Sequence, residues 1–126
     1  MVNINETGGV ILAYLGDAVW ELYVRRYVIS KGFNNNKANK LVKEMVNAKV
    51  QSRLVKEIYS SFSEKECELF KRAKNSNIKS FPSSCSVMEY REATAFEAMI
   101  GVFYETNQLE RIEEIVKICE NINKKS

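Results

Sequence analysis

The stretch VILAYLGDAVWELYV at residues 10–24 sets the strongest constraint on the fold. Its apolar residues fall on nearly every side of a helical wheel rather than on one stripe. A surface helix needs only one apolar face, so residues 9–29 predict a helix covered by several neighbours or by a second copy of the chain. One position breaks the pattern. Asp17 is the sole aspartate of the chain, and the other fifteen acidic residues are glutamates.

The rest of the chain supplies helices to cover it. Lys31-Gly32-Phe33 and the run Asn34-Asn35-Asn36 predict a stop and a turn. Residues 37–60 carry an apolar stripe of Leu41, Val42, Met45, Val46, Val50, Leu54, Val55 and Ile58, and a break near Asn47 would divide them into two helices. Ser63-Glu64-Lys65-Glu66 is a capping box that opens a helix running to about Lys74. Residues 75–86, NSNIKSFPSSCS, hold the only proline and five serines and predict an exposed loop. Two further helices are predicted over roughly 87–106 and 108–122. The second carries Leu109, Ile112, Ile115, Val116, Cys119 and Ile122 on one face. With one proline and five glycines in 126 residues, the expectation is a single all-α domain, residues 1–126, of five to seven helices.

Absences narrow the chemistry. The chain has no histidine, which excludes Ser-His and Cys-His catalysis and a His-built zinc site. No Walker or Rossmann glycine pattern occurs. The three cysteines, Cys67, Cys85 and Cys119, are odd in number and lack C-x-x-C spacing, as expected of reduced thiols in a cytoplasmic protein. No apolar run is long enough to span a membrane. The N-terminal MVNINETGG has neither a basic region nor a cleavable apolar one, so no secretory signal is predicted.

Two carboxylates then stand out. At about 100° per residue, Asp17 shares its face with Val10, Ala13, Tyr14, Trp20, Glu21 and Val24. Burying a lone ionised carboxylate there is costly unless a basic partner, capping donors or a metal offsets it. Gly16 beside it leaves room for another backbone or a ligand. In YREATAFEAMIGVFY, residues 90–104, Glu97 sits among Phe96, Ala98, Met99 and Ile100, on a face with Tyr90, Ala93, Thr94, Ile100, Gly101 and Tyr104. If the two helices cross, Asp17 and Glu97 meet. Two close carboxylates repel unless a cation lies between them, and hard oxygen ligands suit Mg²⁺. Structural alternatives stand beside this one: Asp17 paired with an arginine such as Arg91, or Glu97 capping a neighbouring helix.

Charge is uneven along the chain. Residues 37–79 carry eleven basic and five acidic side chains, whereas residues 80–126 carry five basic and eight acidic. A basic middle segment suits a polyanion surface, though a solvated lysine face has the same composition.

At these residues the chain resembles a known family. LAYLGDAVWELYVR (12–25) looks like the signature helix of the ribonuclease III superfamily, most of all its short bacterial form, Mini-ribonuclease III. TAFEAMIGVFYE (94–105) resembles the second signature, the preceding YREA fits the Mini-III version, and KRAKNSNIKS (71–80) resembles its basic loop. The resemblance implies an all-α, homodimeric endonuclease domain. It implies one Mg²⁺-dependent site per protomer, cutting one strand of double-stranded RNA to leave a 5′-phosphate. About twenty residues follow the second signature, so the C-terminal double-stranded-RNA-binding domain of full-length ribonuclease III is expected to be absent. The expected substrate is the precursor of 23S ribosomal RNA, with a large-subunit ribosomal protein assisting.

Matched residue by residue, the resemblance makes Asp17 and Glu97 the catalytic and metal-binding pair. Glu21, one turn beyond Asp17, is a candidate outer contributor by its place on the helix, with an ordinary i,i+4 pair to Arg25 as the plainer reading. Further acidic positions of ribonuclease III proper are held here by Val10, Ala13 and Thr94. Duplex RNA is met through phosphates, 2′-hydroxyls and A-form shape. Lys71, Arg72, Lys74, Asn75 and Lys79 are the expected contacts, with Lys49 and Arg53 behind them. Lysines at a helix C-terminus also complement its dipole, which is the plainer reading of Lys71 and Lys74.

Overall fold

A computed structural model describes residues 2–77 and 80–125. Among them are six α-helices: α1 Gly9–Ser30, α2 Asn35–Met45, α3 Ala48–Ile58, α4 Glu64–Lys74, α5 Val87–Glu105 and α6 Leu109–Lys125, with a 3₁₀ turn over Tyr59–Ser61 and no strand. The all-α expectation holds. No helix among the described residues is long and apolar enough to cross a membrane.

Short polar side chains set most helix ends. Asn47 does so twice. Its Oδ1 accepts from Val50 N at 3.0 Å to start α3, and its Nδ2 donates to the carbonyls of Lys43 and Glu44 to close α2. The expected break is therefore a built junction. The asparagine run 34–36 is a correction to the turn reading. Asn34 is the N-cap of α2, accepting from Lys37 N, and the helix already begins at Asn35. Asparagine suits both roles, because its side chain can serve a turn or an orphan helix donor. Ser63 and Glu66 form the expected capping box of α4. Ser86 and Glu89 form a second, at the start of α5. Gly32, at φ +78°, turns the chain out of α1 in a conformation that side chains resist.

Helices α1 and α5 cross at the centre, and α3 and α4 pack on α5. Trp20 of α1 is fully buried and meets Phe96 of α5 edge to face, ring centroids 5.0 Å apart. Tyr59, Phe62, Phe70 and Phe103 form a second aromatic group between α3, α4 and α5. Arg111 ties α6 down by pairing with Glu66 of α4 while lying over the Phe103 ring. Cys67, Cys85 and Cys119 are free thiols.

Candidate active site

The α1–α5 crossing is closer than side chains allow. A Cβ on Gly16 would stand 1.6 Å from the Glu97 carbonyl oxygen, and one on Gly101 would stand 2.6 Å from that of Leu12. The space beside Gly16 thus admits a backbone, not a ligand. This crossing brings Asp17, the next residue, against Glu97, and their carboxyl groups share a hydrogen bond.

Their environments differ. The expectation of a buried Asp17 is corrected: the residue is exposed, and Glu97 is half-buried. Leu12, Ala13, Gly16, Val19, Trp20, Tyr23, Val24 and Val28 carry the buried side of α1, and Asp17 lies at its border. The desolvation cost falls on Glu97. Burial, followed by the hydrogen bond and the charge of Asp17, pushes the Glu97 carboxyl up to about 9, while the nearby Gln51 side chain pulls it down. Near neutral pH the metal-free pair holds a proton, with Glu97 donating to Asp17.

The structural alternatives fail on geometry. Arg91 does not answer Asp17; its Nη1 donates to the carbonyls of Lys74 and Ser76, fastening the end of α4. No ion pair among the described residues includes Asp17 or Glu97. Glu97 caps no helix. Two adjoining carboxylates without a cationic partner, one of them open to solvent, fit a divalent cation. No group of three or more His, Cys, Asp or Glu side chains able to hold a metal occurs among the described residues. At the other acidic positions of ribonuclease III proper, Ala13 is buried, Val10 is exposed, and Thr94 donates to the carbonyl of Tyr90 at 2.9 Å. Asp17 and Glu97 would hold the ion. Glu21 lines the same groove as Asp17 but pairs with Arg25 at 2.6 Å.

The match to known proteins follows this geometry. The ribonuclease III domain family matches residues 11–108. The chain belongs to that family. A Mini-ribonuclease 3-like protein of Ilyobacter polytropus is 56% identical, covering 93% of this chain and 94% of its own length. One from Fusobacterium nucleatum is 50% identical, and the Mini-ribonuclease 3 of Clostridium tetani is 37% identical over 98% of this chain. A crystal structure of a protein from Fusobacterium nucleatum superposes with a TM-score of 0.87 at 46% identity, covering 98% of this chain and 99% of that one. Membership in the Mini-ribonuclease III branch makes the chain a nuclease of the ribonuclease III type.

The basic residues divide by position. Lys71 is exposed, Lys74 is half-buried and Asn75 is the C-cap of α4. Lys79 lies outside the described residues. Arg72 is engaged within the protomer. Its guanidinium donates to the carbonyls of Ile4, Asn5 and Thr7, strapping the N-terminal segment to α4. Lys49 and Arg53 are exposed along α3, and Lys56 extends their stripe by a turn. Two residues escaped the sequence reading. Lys56 sits at the same helical spacing as Lys49 and Arg53. Gln51 interrupts the apolar stripe of Val55 and Ile58 with a buried polar group, and that interruption was its signal.

Proposed function

We propose that the protein is a Mg²⁺-dependent endoribonuclease that cuts double-stranded RNA as a homodimer, with the 23S ribosomal RNA precursor as its substrate in the cytoplasm. One observation carries this: Asp17 and Glu97 converge without a basic counter-ion, at a place where Asp17 is open to solvent. When bound, Mg²⁺ supplies positive charge at the phosphodiester and a more acidic water. The chain's own part is positional. Asp17 presents oxygens at the mouth of the site. Glu97, set by the α1–α5 crossing, presents them from inside. No side-chain nucleophile is needed, in keeping with a histidine-free chain.

Phosphate contacts fall to Lys71, Lys74 and Asn75 at the end of α4, and to Lys49, Arg53 and Lys56 on α3. Arg72 contributes less, its guanidinium being held by three carbonyls. Few contacts per protomer mean weak binding, which a dimer doubles. Helix α1 supplies the interface. Ile11, Tyr14, Leu22 and Ile29 are all exposed and recur at helical spacing along one stripe. Ile11, Tyr14 and Leu22, together with Ala18, flank a groove that also holds Asp17. A large-subunit ribosomal protein is the assisting partner expected from the Mini-III resemblance.

Purified protein, a long RNA duplex and Mg²⁺ test the reading, with Asp17→Asn as control. The expected result is cleavage that needs Mg²⁺ and is lost in the variant, which still binds duplex. Binding with no cleavage under any divalent metal would assign a silent RNA-binding module instead, a reading favoured by the missing carboxylates at Ala13 and Thr94.

A further inference from the structure

Two polar side chains among the described residues are buried as deeply as the core: Gln51 and Ser52, each 4% exposed. They are neighbours on α3, whose other buried residues are Leu54, Val55 and Ile58. A buried amide or hydroxyl costs free energy unless it is hydrogen-bonded. Both face a glutamate of α5. Ser52 Oγ donates to Glu92 Oε1 at 2.7 Å, which fixes the approach of the two helices. Gln51 faces Glu97 and favours its ionised form. Its Nε2 is buried with no hydrogen-bond partner among the described residues, and the Glu97 carboxyl is the acceptor beside it. A leucine at this position would fill the same space and remove a buried polar group.

We propose that Gln51 is a positioning residue of the metal site: its Nε2 donates to the Glu97 carboxylate and orients it, so that Glu97 and Asp17 offer their oxygens to a divalent cation. This rests on the metal-site reading above and adds a residue to it. Without the amide, Glu97 lies between an apolar core and a second carboxylate with no donor to orient it. Groups that orient a metal ligand from behind change metal affinity by about 10- to 100-fold.

The experiment follows thermal unfolding of metal-free wild type, Gln51→Leu and Gln51→Glu as Mg²⁺ is added, and measures duplex binding without metal. For Gln51→Leu the Mg²⁺ midpoint rises by about 10- to 100-fold, while metal-free duplex binding is unchanged. Gln51→Glu keeps the size and replaces the donor with a third carboxylate. Its metal-free melting point lies below that of wild type, because three carboxylates then crowd one site, and saturating Mg²⁺ raises it by more than in wild type. A wild-type Mg²⁺ midpoint in Gln51→Leu, or a Gln51→Glu defect that Mg²⁺ does not repair, overturns the role of Gln51 and leaves the metal site standing. Wild type without any Mg²⁺ response overturns the metal site and this inference together. Should Gln51→Leu fail to fold, Gln51→Glu with and without Mg²⁺ decides alone.

Discussion

Glu97 links protons to the stability of the metal-free protein. Its carboxyl is raised from the ordinary 4.5 to about 9 by burial and by Asp17. Between those values the folded chain holds a proton that the unfolded chain has released. Stability is therefore fullest below about pH 4.5 and falls as pH rises toward about 9. Glu97→Gln removes the titrating group and keeps its size. In melts of metal-free protein it is expected to flatten that decline and to melt above wild type near pH 8, and in the cleavage assay it is expected to lose activity. A variant that melts below wild type at every pH would show that the pair is not in conflict. Gly16→Ala tests the neighbouring backbone. Its Cβ would meet the Glu97 carbonyl oxygen at 1.6 Å, and a backbone atom cannot step aside as a flexible side chain can. Overpacking of this kind costs about 1–3 kcal/mol or more, so urea unfolding should show lost stability together with lost cleavage. Asp17→Asn should lose cleavage alone. The pairing of Asp17 with Glu97 was legible because each carboxylate sat beside a glycine in an apolar helix. Their unequal burial was not, because a helical wheel gives a residue's direction but not which neighbour lies there.

The helices were legible where local chemistry and apolar period agree. The α4 capping box and the stripe of α6 are of this kind. Asparagine was the ambiguous letter. The run 34–36 reads as a turn by composition, yet Asn34 starts α2. Asn47 serves two helices at once, and the two functions can be separated. Asn47→Ala removes both and should cost about 0.5–2 kcal/mol in urea unfolding. Asn47→Asp keeps the oxygen that starts α3 but loses the donor that closes α2 on the Lys43 and Glu44 carbonyls. It should fall between alanine and wild type; an aspartate variant no better than alanine would mean that the cap of α3 contributes nothing. The same junction matters to the site, since Gln51 lies one turn into the helix that Asn47 begins. Arg72 marks the limit of reading charge from sequence. A basic residue in a basic segment looks like a phosphate contact, and only the fold reveals the three carbonyls it holds.

Across the whole molecule, one observation remains to be satisfied. Helix α1 is apolar on nearly all sides, and packing within the protomer covers only one of them. Tyr14 is 82% exposed and Leu22 51%, both on the stripe that runs past Asp17. Exposed apolar surface gathered on one helix face marks an interaction site, whereas scattered exposed residues need no explanation. A second copy offers the same stripe, and a twofold pairing lays each against the other. The double variant Tyr14→Glu with Leu22→Glu places charge in that seam without touching the core. Analytical ultracentrifugation is expected to show a dimer for wild type and a folded monomer for the variant. The RNA affinity then reports the same fact independently. Its logarithm falls against the logarithm of salt concentration with a slope of about −0.9 per phosphate contacted, by analogy with duplex DNA. Lys49, Arg53, Lys56, Lys71 and Lys74 belong to each protomer. A dimer lying along one duplex uses two such sets, so the monomeric variant should show about half the wild-type slope. A wild type that sediments as a monomer, or a variant that keeps the full slope, would place the duplex on one protomer and leave the apolar face of α1 to another partner.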